Sequence, residues 1–287
     1  MDNIEQFMSI YMYELEKILN SKKNDLMKVS FQSDEANTDR PLKEFLKNVI
    51  ETQLTTINNT ELKNINYSDK TVPIDMNLKK IIINKVLLPE DLDDNIKSLL
   101  RTDLSKNFTN PDLCLELFNG TNYSYTTIEL KSTKNDSIPG SSIQQVKPNE
   151  WVIFIKHTTS NIIEITTGQY INAVNSKMEF PDRSPRPQVS FKELKNWNSK
   201  NRIIKNNSLI YIEDDSRVLK EELLTDWQKY LVDKWIDVLF SFDVKEREPW
   251  FSITLRRFII QFLYRYDNLT EIEKENYKNK INELLKK

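Results

Sequence analysis

Glycine placement limits this chain more than any other feature. Only Gly120, Gly140 and Gly168 occur, and residues 1–119 and 169–287 have none. Tight turns between strands draw on glycine for positive backbone angles, so long glycine-free flanks argue against a β-rich build there. Where such flanks carry apolar residues at helical spacing they read as helices. The centre, where glycine and β-branched residues coincide, reads as a sheet. Residues 2–19 carry Ile4, Phe7, Met8, Tyr11, Leu15, Ile18 and Leu19 close to that spacing. A second helix is expected to begin near Pro41, after Thr38 and Asp39, and to run through LKEFLKNVIETQL. Residues 55–75, rich in Asn and Thr, read as a loop.

The centre alternates short strands and turns. DLCLELF (112–118) sets Leu113, Leu115 and Leu117 on one face and Asp112, Cys114 and Glu116 on the other. NGTN (119–122) is a hairpin-type turn, and YSYTTIELKST returns with Ile128 and Leu130 opposite Glu129 and Lys131. SIPGSSIQQV suggests a turn and a short helix, WVIFIKH (151–157) a buried central strand, and NIIEITT and SLIYIE two more strands. Residues 181–205 hold three prolines among Arg183, Arg186, Lys192, Lys195, Lys200 and Arg202, a basic loop followed by a short helix. The last third reads as helices over 216–242, 249–266 and 270–285, the last opened by Thr270 and Glu273 at capping-box spacing. The expected fold is α/β (α+β): a central mixed sheet of about five strands flanked by helices, with helical N- and C-terminal extensions. The expectation is one domain over 1–287, with a mainly helical part (1–100), a core (101–213) and a helical C-terminal part (214–287).

Bulk composition bounds the function. No apolar run reaches the roughly 20 residues that span a bilayer, and the acidic N-terminal stretch does not read as a signal peptide. A single cysteine, Cys114, allows neither an intramolecular disulfide nor a Cys-rich zinc site, and a reducing cytoplasm is expected. The lone histidine, His157, disfavours chemistry that needs histidine as ligand or base, and no Gly-rich phosphate loop supports nucleotide hydrolysis. The net charge of -2 does not argue against a local basic surface built from 41 Lys and Arg.

One strand aims a carboxylate and an amine the same way. A hairpin carrying Asp112 on the first strand brings it next to Glu129 and Lys131 on the second, because paired strands lie about 5 Å apart. Two acids and a lysine in that relation can hold a hard cation through oxygen, the Leu130 carbonyl being a further ligand, and can orient a water or offset charge. A solvated ion pair on an exposed sheet face is the alternative. The triplet itself is not specific, since Glu61–Lys63 and Glu193–Lys195 share the spacing, as does Asp243–Lys245 with an aspartate. Ser190 and Glu193 have capping-box spacing, which puts Glu193 and Lys195 on a helix where i and i+2 diverge.

The stretch PDLCLEL...YTTIELKST, followed by SIPGSSIQQV and WVIFIKH, resembles the PD-(D/E)xK nuclease superfamily and within it the type II restriction endonucleases. The resemblance covers roughly residues 40–170. It implies Mg²⁺-dependent hydrolysis of double-stranded DNA at a specific sequence by a homodimer, leaving 5′-phosphate ends. Asp112 and Glu129 would hold the metal, and Lys131 would position or polarise the attacking water. A further acid from the preceding helix, Glu44 or Glu51, is implied. DNA contacts are expected from Arg183, Arg186, Gln188, Lys200 and Arg202, and from Gln144. A nuclease of DNA repair or phage defence without sequence specificity, or a non-enzymatic DNA-binding protein, are the alternatives.

Overall fold

The computed structural model describes residues 3–29, 40–67, 70–100, 111–139, 147–158, 162–175, 188–241 and 250–286. In chain order the elements are helices α1 (Asn3–Ser21), α2 (Lys23–Leu26) and α3 (Arg40–Gln53), then strands β1 (Asn64–Tyr67) and β2 (Lys70–Pro73). Helix α4 (Met76–Lys79), strand β3 (Ile82–Leu87) and helix α5 (Asp94–Leu100) follow. The centre holds β4 (Leu113–Phe118), β5 (Tyr123–Thr133), β6 (Ser137–Pro139), β7 (Trp151–His157), β8 (Ile163–Gln169) and β9 (Val174–Asn175). Then come β10 (Gln188–Ser190), α6 (Phe191–Asn201), β11 (Arg202–Lys205), β12 (Ser208–Tyr211), α7 (Ser216–Phe240), α8 (Trp250–Asp267) and α9 (Glu271–Leu285). The described residues fall into two compact units. The described residues up to Thr225 form the first and those from Asp226 the second. The division falls inside α7, where Asp226 leaves helical geometry (φ -149°, ψ 64°).

The first unit is built on a mixed five-stranded sheet in the order β3-β4-β5-β7-β8. β5 and β7 run parallel, and every other neighbouring pair is antiparallel. The main core lies on the sheet face that carries Leu113, Leu115, Leu117, Ile128, Ile153 and Ile155, packed against Phe7, Tyr11 and Leu15 of α1 and Leu42, Leu46, Val49 and Ile50 of α3. Each such side chain contributes about 1.5–3 kcal/mol by leaving water. Val152 and Phe154 face the other way and are equally buried, as a continuous apolar run requires. Phe154 meets Phe191 of α6 edge-on at 5.6 Å.

Gly168 makes the approach of α6 to β8 possible. A Cβ added there would stand 2.8 Å from Leu194 Cδ1. Gly168→Ala is therefore expected to cost up to about 1 kcal/mol, since the contact is with the end of the Leu194 side chain, which can shift; the readout is the thermal midpoint. Gly120 serves the hairpin with a φ of 92°, and the Asn119 side chain closes the turn by accepting from the amides of Thr121 and Asn122.

Three local expectations differ from the structure. Residues 64–67 and 70–73, read as loop, form a hairpin whose β1 pairs in parallel with β12, a strand more than a hundred residues away in sequence. Ile65 is fully buried in the main core, and no local pattern announces the remote partner strand. SLIYIE accordingly belongs to the sheet β11-β12-β1-β2, and β3 is the fifth strand of the main sheet. Residues 137–139 are a strand in a small sheet with β10 and β9, while the short helix expected beyond them lies outside the described residues.

The helical predictions for the C-terminal part hold. In α9, Thr270 Oγ1 accepts from the Glu273 amide and Glu273 reaches back to the Thr270 amide, the reciprocal capping box that the spacing predicts. Among the described residues no helix is long and apolar enough to cross a membrane.

Candidate active site

The site grows from a mismatch in strand length. β4 begins at Leu113, which pairs with Ile128, whereas β5 runs on to Thr133 beside β7. From Glu129 onward β4 no longer covers that edge of β5. The Asp112 side chain takes up the ladder there, its Oδ2 accepting from the Leu130 amide at 2.8 Å. One step along the same register Asp112 falls opposite Glu129. Side-chain alternation puts Glu129 and Lys131 on the face away from the main core, where Lys131 Nζ lies 2.5 Å from Glu129 Oε1. The hairpin thus brings Asp112, Glu129 and Lys131 together at one end of the sheet.

Two further groups complete the cluster. Lys43 of α3 places its Nζ 2.7 Å from Asp112 Oδ1, with its side chain only 5% exposed. Glu150, one residue before β7, is hydrogen-bonded to the Thr127 side chain and feels the charge of Asp112. Its placement follows from the parallel register, in which Trp151 pairs with Ile128 and so Glu150 comes beside Thr127.

The electrostatics record crowding of negative charge. Burial pushes Glu129 up to about 7; Lys131 pulls it back, and the Asp112 charge raises it further. Glu150 is also raised, first by burial and in part by Asp112. Burial and the neighbouring Asp112 charge hold the proton affinity of Glu129 up despite an ammonium in contact, and a small divalent cation would relieve that crowding. Among the described residues no group of three or more His, Cys, Asp or Glu is placed to cage a metal alone. The carboxylates of Asp112 and Glu129 are donors of the kind Mg²⁺ takes, with water and substrate phosphate completing its shell.

The acid expected from the preceding helix does not join the site. Glu44 is exposed and pairs with Arg40, and Glu51 accepts the Val86 amide at 2.9 Å. The residue that α3 contributes is Lys43. Glu116 is engaged elsewhere, by the Tyr125 hydroxyl and the Asn84 amide. Cys114 is fully buried, with its thiol pushed up to about 12 by burial, as a packing residue would be. The rival Glu193–Lys195 pair lies on α6, where Lys195 turns to Glu164 and Ser190 caps the Glu193 amide.

Of the expected DNA contacts, Arg183, Arg186 and Gln144 lie outside the described residues, as does the side chain of Gln188. Lys200 is exposed on α6. Arg202 departs from expectation: its side chain is 4% exposed and pairs with Glu16 at 2.7 Å. A guanidinium committed to the interior does not present donors to a base edge. A cavity of about 560 Å³ lies away from the cluster, between α1, β8 and α6, and its charged groups include the Glu16–Arg202 and Glu164–Lys195 pairs.

Lys43 and Glu150 escaped the sequence reading. For Glu150 a signal existed, since an acid just before a buried strand parallel to β5 lands at the strand end where the site forms. For Lys43 the signal was a lysine on the apolar side of an amphipathic helix, beside Leu42 and one turn before Leu46. Compared with models of protein families, with curated proteins and with solved structures, the chain matches none.

Proposed function

We propose that the chain is a Mg²⁺-dependent endonuclease of double-stranded DNA, of the PD-(D/E)xK type, acting as a homodimer at a specific sequence. The observation that carries this reading is the meeting of Asp112, Glu129 and Lys131 at the end of a hairpin continued by a buried parallel strand. The resemblance to restriction endonucleases supplies the dimer and the sequence-specific duplex substrate, and a two-fold dimer offers one site to each strand of a palindrome.

Asp112 and Glu129 are the residues that would hold Mg²⁺. When bound there it would lower the pKa of a coordinated water and offset phosphate charge. The Leu130 amide fixes the Asp112 carboxylate, and Glu129 holds Lys131 on the reacting face. Lys131 orients the water and offsets charge on the phosphoryl oxygens. Water attacks phosphorus in line, the bond from phosphorus to the 3′ oxygen breaks, and a 5′-phosphate and a 3′-hydroxyl result.

The purified chain incubated with phage DNA and Mg²⁺ is expected to give discrete fragments with 5′-phosphate ends. A smear would remove sequence specificity from the reading, and intact DNA would remove the activity. Asp112→Asn is expected to move the Mg²⁺ titration of cleavage to concentrations at least about tenfold higher, given that even outer-shell partners of a metal matter that much. An unchanged titration would take Asp112 out of the metal site.

A further inference from the structure

Lys43 sits where lysine is rarely found. It belongs to the buried side of α3, with Leu42, Leu46, Val49 and Ile50, and is 4% exposed. Lysine is almost never buried to that degree unless paired, and here it pairs with Asp112 Oδ1 at 2.7 Å. The other oxygen, Oδ2, accepts the Leu130 amide. Both oxygens of Asp112 are therefore already engaged, one by a backbone donor fixed in the sheet and one by a full positive charge. A dication drawn to this carboxylate meets an ammonium in hydrogen-bond contact with it, and like charges at such range repel strongly where water is largely excluded.

We propose that Lys43 is the resident counter-ion of Asp112, that a divalent cation must displace it from Oδ1, and that it thereby sets the cation concentration at which the site fills. The proposal rests on the metal reading above. It separates the two lysines of the cluster. Lys131 projects from the same strand as Glu129 and belongs to the reacting face. Lys43 comes from a helix, holds the first acid, and neutralises it while the cation is absent. Without Lys43 the chain would carry an uncompensated, largely buried Asp112 in its cation-free state; with it, that state keeps its fold at the expense of cation affinity.

The test is Mn²⁺ binding to the full chain without DNA, followed by electron paramagnetic resonance of the free ion and by the thermal shift that Mn²⁺ produces. Lys43→Met keeps the unbranched stem and removes the charge. It is expected to bind Mn²⁺ roughly tenfold to hundredfold more tightly than the wild type, the span that one charge-assisted hydrogen bond covers, and to show the larger thermal shift. Lys43→Arg keeps the charge in the same place and is expected to bind no more tightly than the wild type, which keeps the test decisive should the Met variant fail to fold. Equal or weaker binding by Lys43→Met, or tighter binding by Lys43→Arg, overturns the displacement. Glu129→Gln reports on the underlying reading: it should abolish the uptake. If the wild type takes up no Mn²⁺, or Glu129→Gln takes it up unchanged, the metal site falls and the role of Lys43 falls with it. If uptake depends on Glu129 but not on Lys43, only the counter-ion proposal falls.

Discussion

Lys131→Ala is expected to lower the DNA cleavage rate by about 10²–10³-fold or more while leaving specific DNA binding in place. The lysine lies against Glu129, its side chain 16% exposed, at the sheet end where β5 has outrun β4. A preorganised ammonium in a poorly hydrated site contributes far more to developing charge than the same group in bulk water. Removing it deletes that contribution and frees Glu129 to turn, so the rate falls through the chemical step rather than through affinity. Single-turnover cleavage alongside a band-shift titration separates the two. A variant that cuts at the wild-type rate would show that Lys131 has no part in the reaction.

The largest expected effect on stability belongs to Arg202→Ala, about 3–5 kcal/mol, read from the urea midpoint of the first unit. Arg202 Nη2 donates to Glu16 Oε2 at 2.7 Å, and Nη1 donates to the carbonyl of Thr167 at 3.0 Å and to its hydroxyl at 3.2 Å. Glu16 in turn accepts the Thr167 amide at 2.6 Å. β8 is the last strand of its sheet, and these side chains satisfy the outward backbone groups of Thr167 that a further strand would otherwise bond. Deleting the guanidinium leaves the Glu16 carboxylate without its counter-charge and the Thr167 carbonyl with the Asn198 side-chain amide at 2.8 Å as its remaining donor. DNA affinity per folded molecule is expected to stay unchanged. Lost binding with intact stability would return Arg202 to the DNA surface that its place in a basic stretch suggests.

Arg202 and Lys43 show why part of this molecule was not legible beforehand. Both were charged residues in segments with a plausible local reading, one in a basic run and one in an amphipathic helix. What each does depends on an acid remote in the chain: Glu16 for Arg202 and Asp112 for Lys43. Local periodicity carries no record of such partners. The same holds for the parallel pairing of β1 with the remote β12. By contrast, the hairpin, the turn at Asn119, the α6 cap at Ser190 and the α9 cap at Thr270 are written within a few residues of themselves.

The order of residues alone determined a sheet-bearing centre between helices, and it set Asp112 at the start of a hairpin whose second strand carries Glu129 and Lys131 on one face, because a period of two and a tight turn fix which side chains share a face. Only the tertiary structure decided what surrounds them. The parallel pairing of β5 with β7 brings in Glu150, and the packing of α3 brings Lys43 onto Asp112. These neighbours come from elements that approach only when apolar faces are buried together, and the electrostatic character of the site is set by that approach.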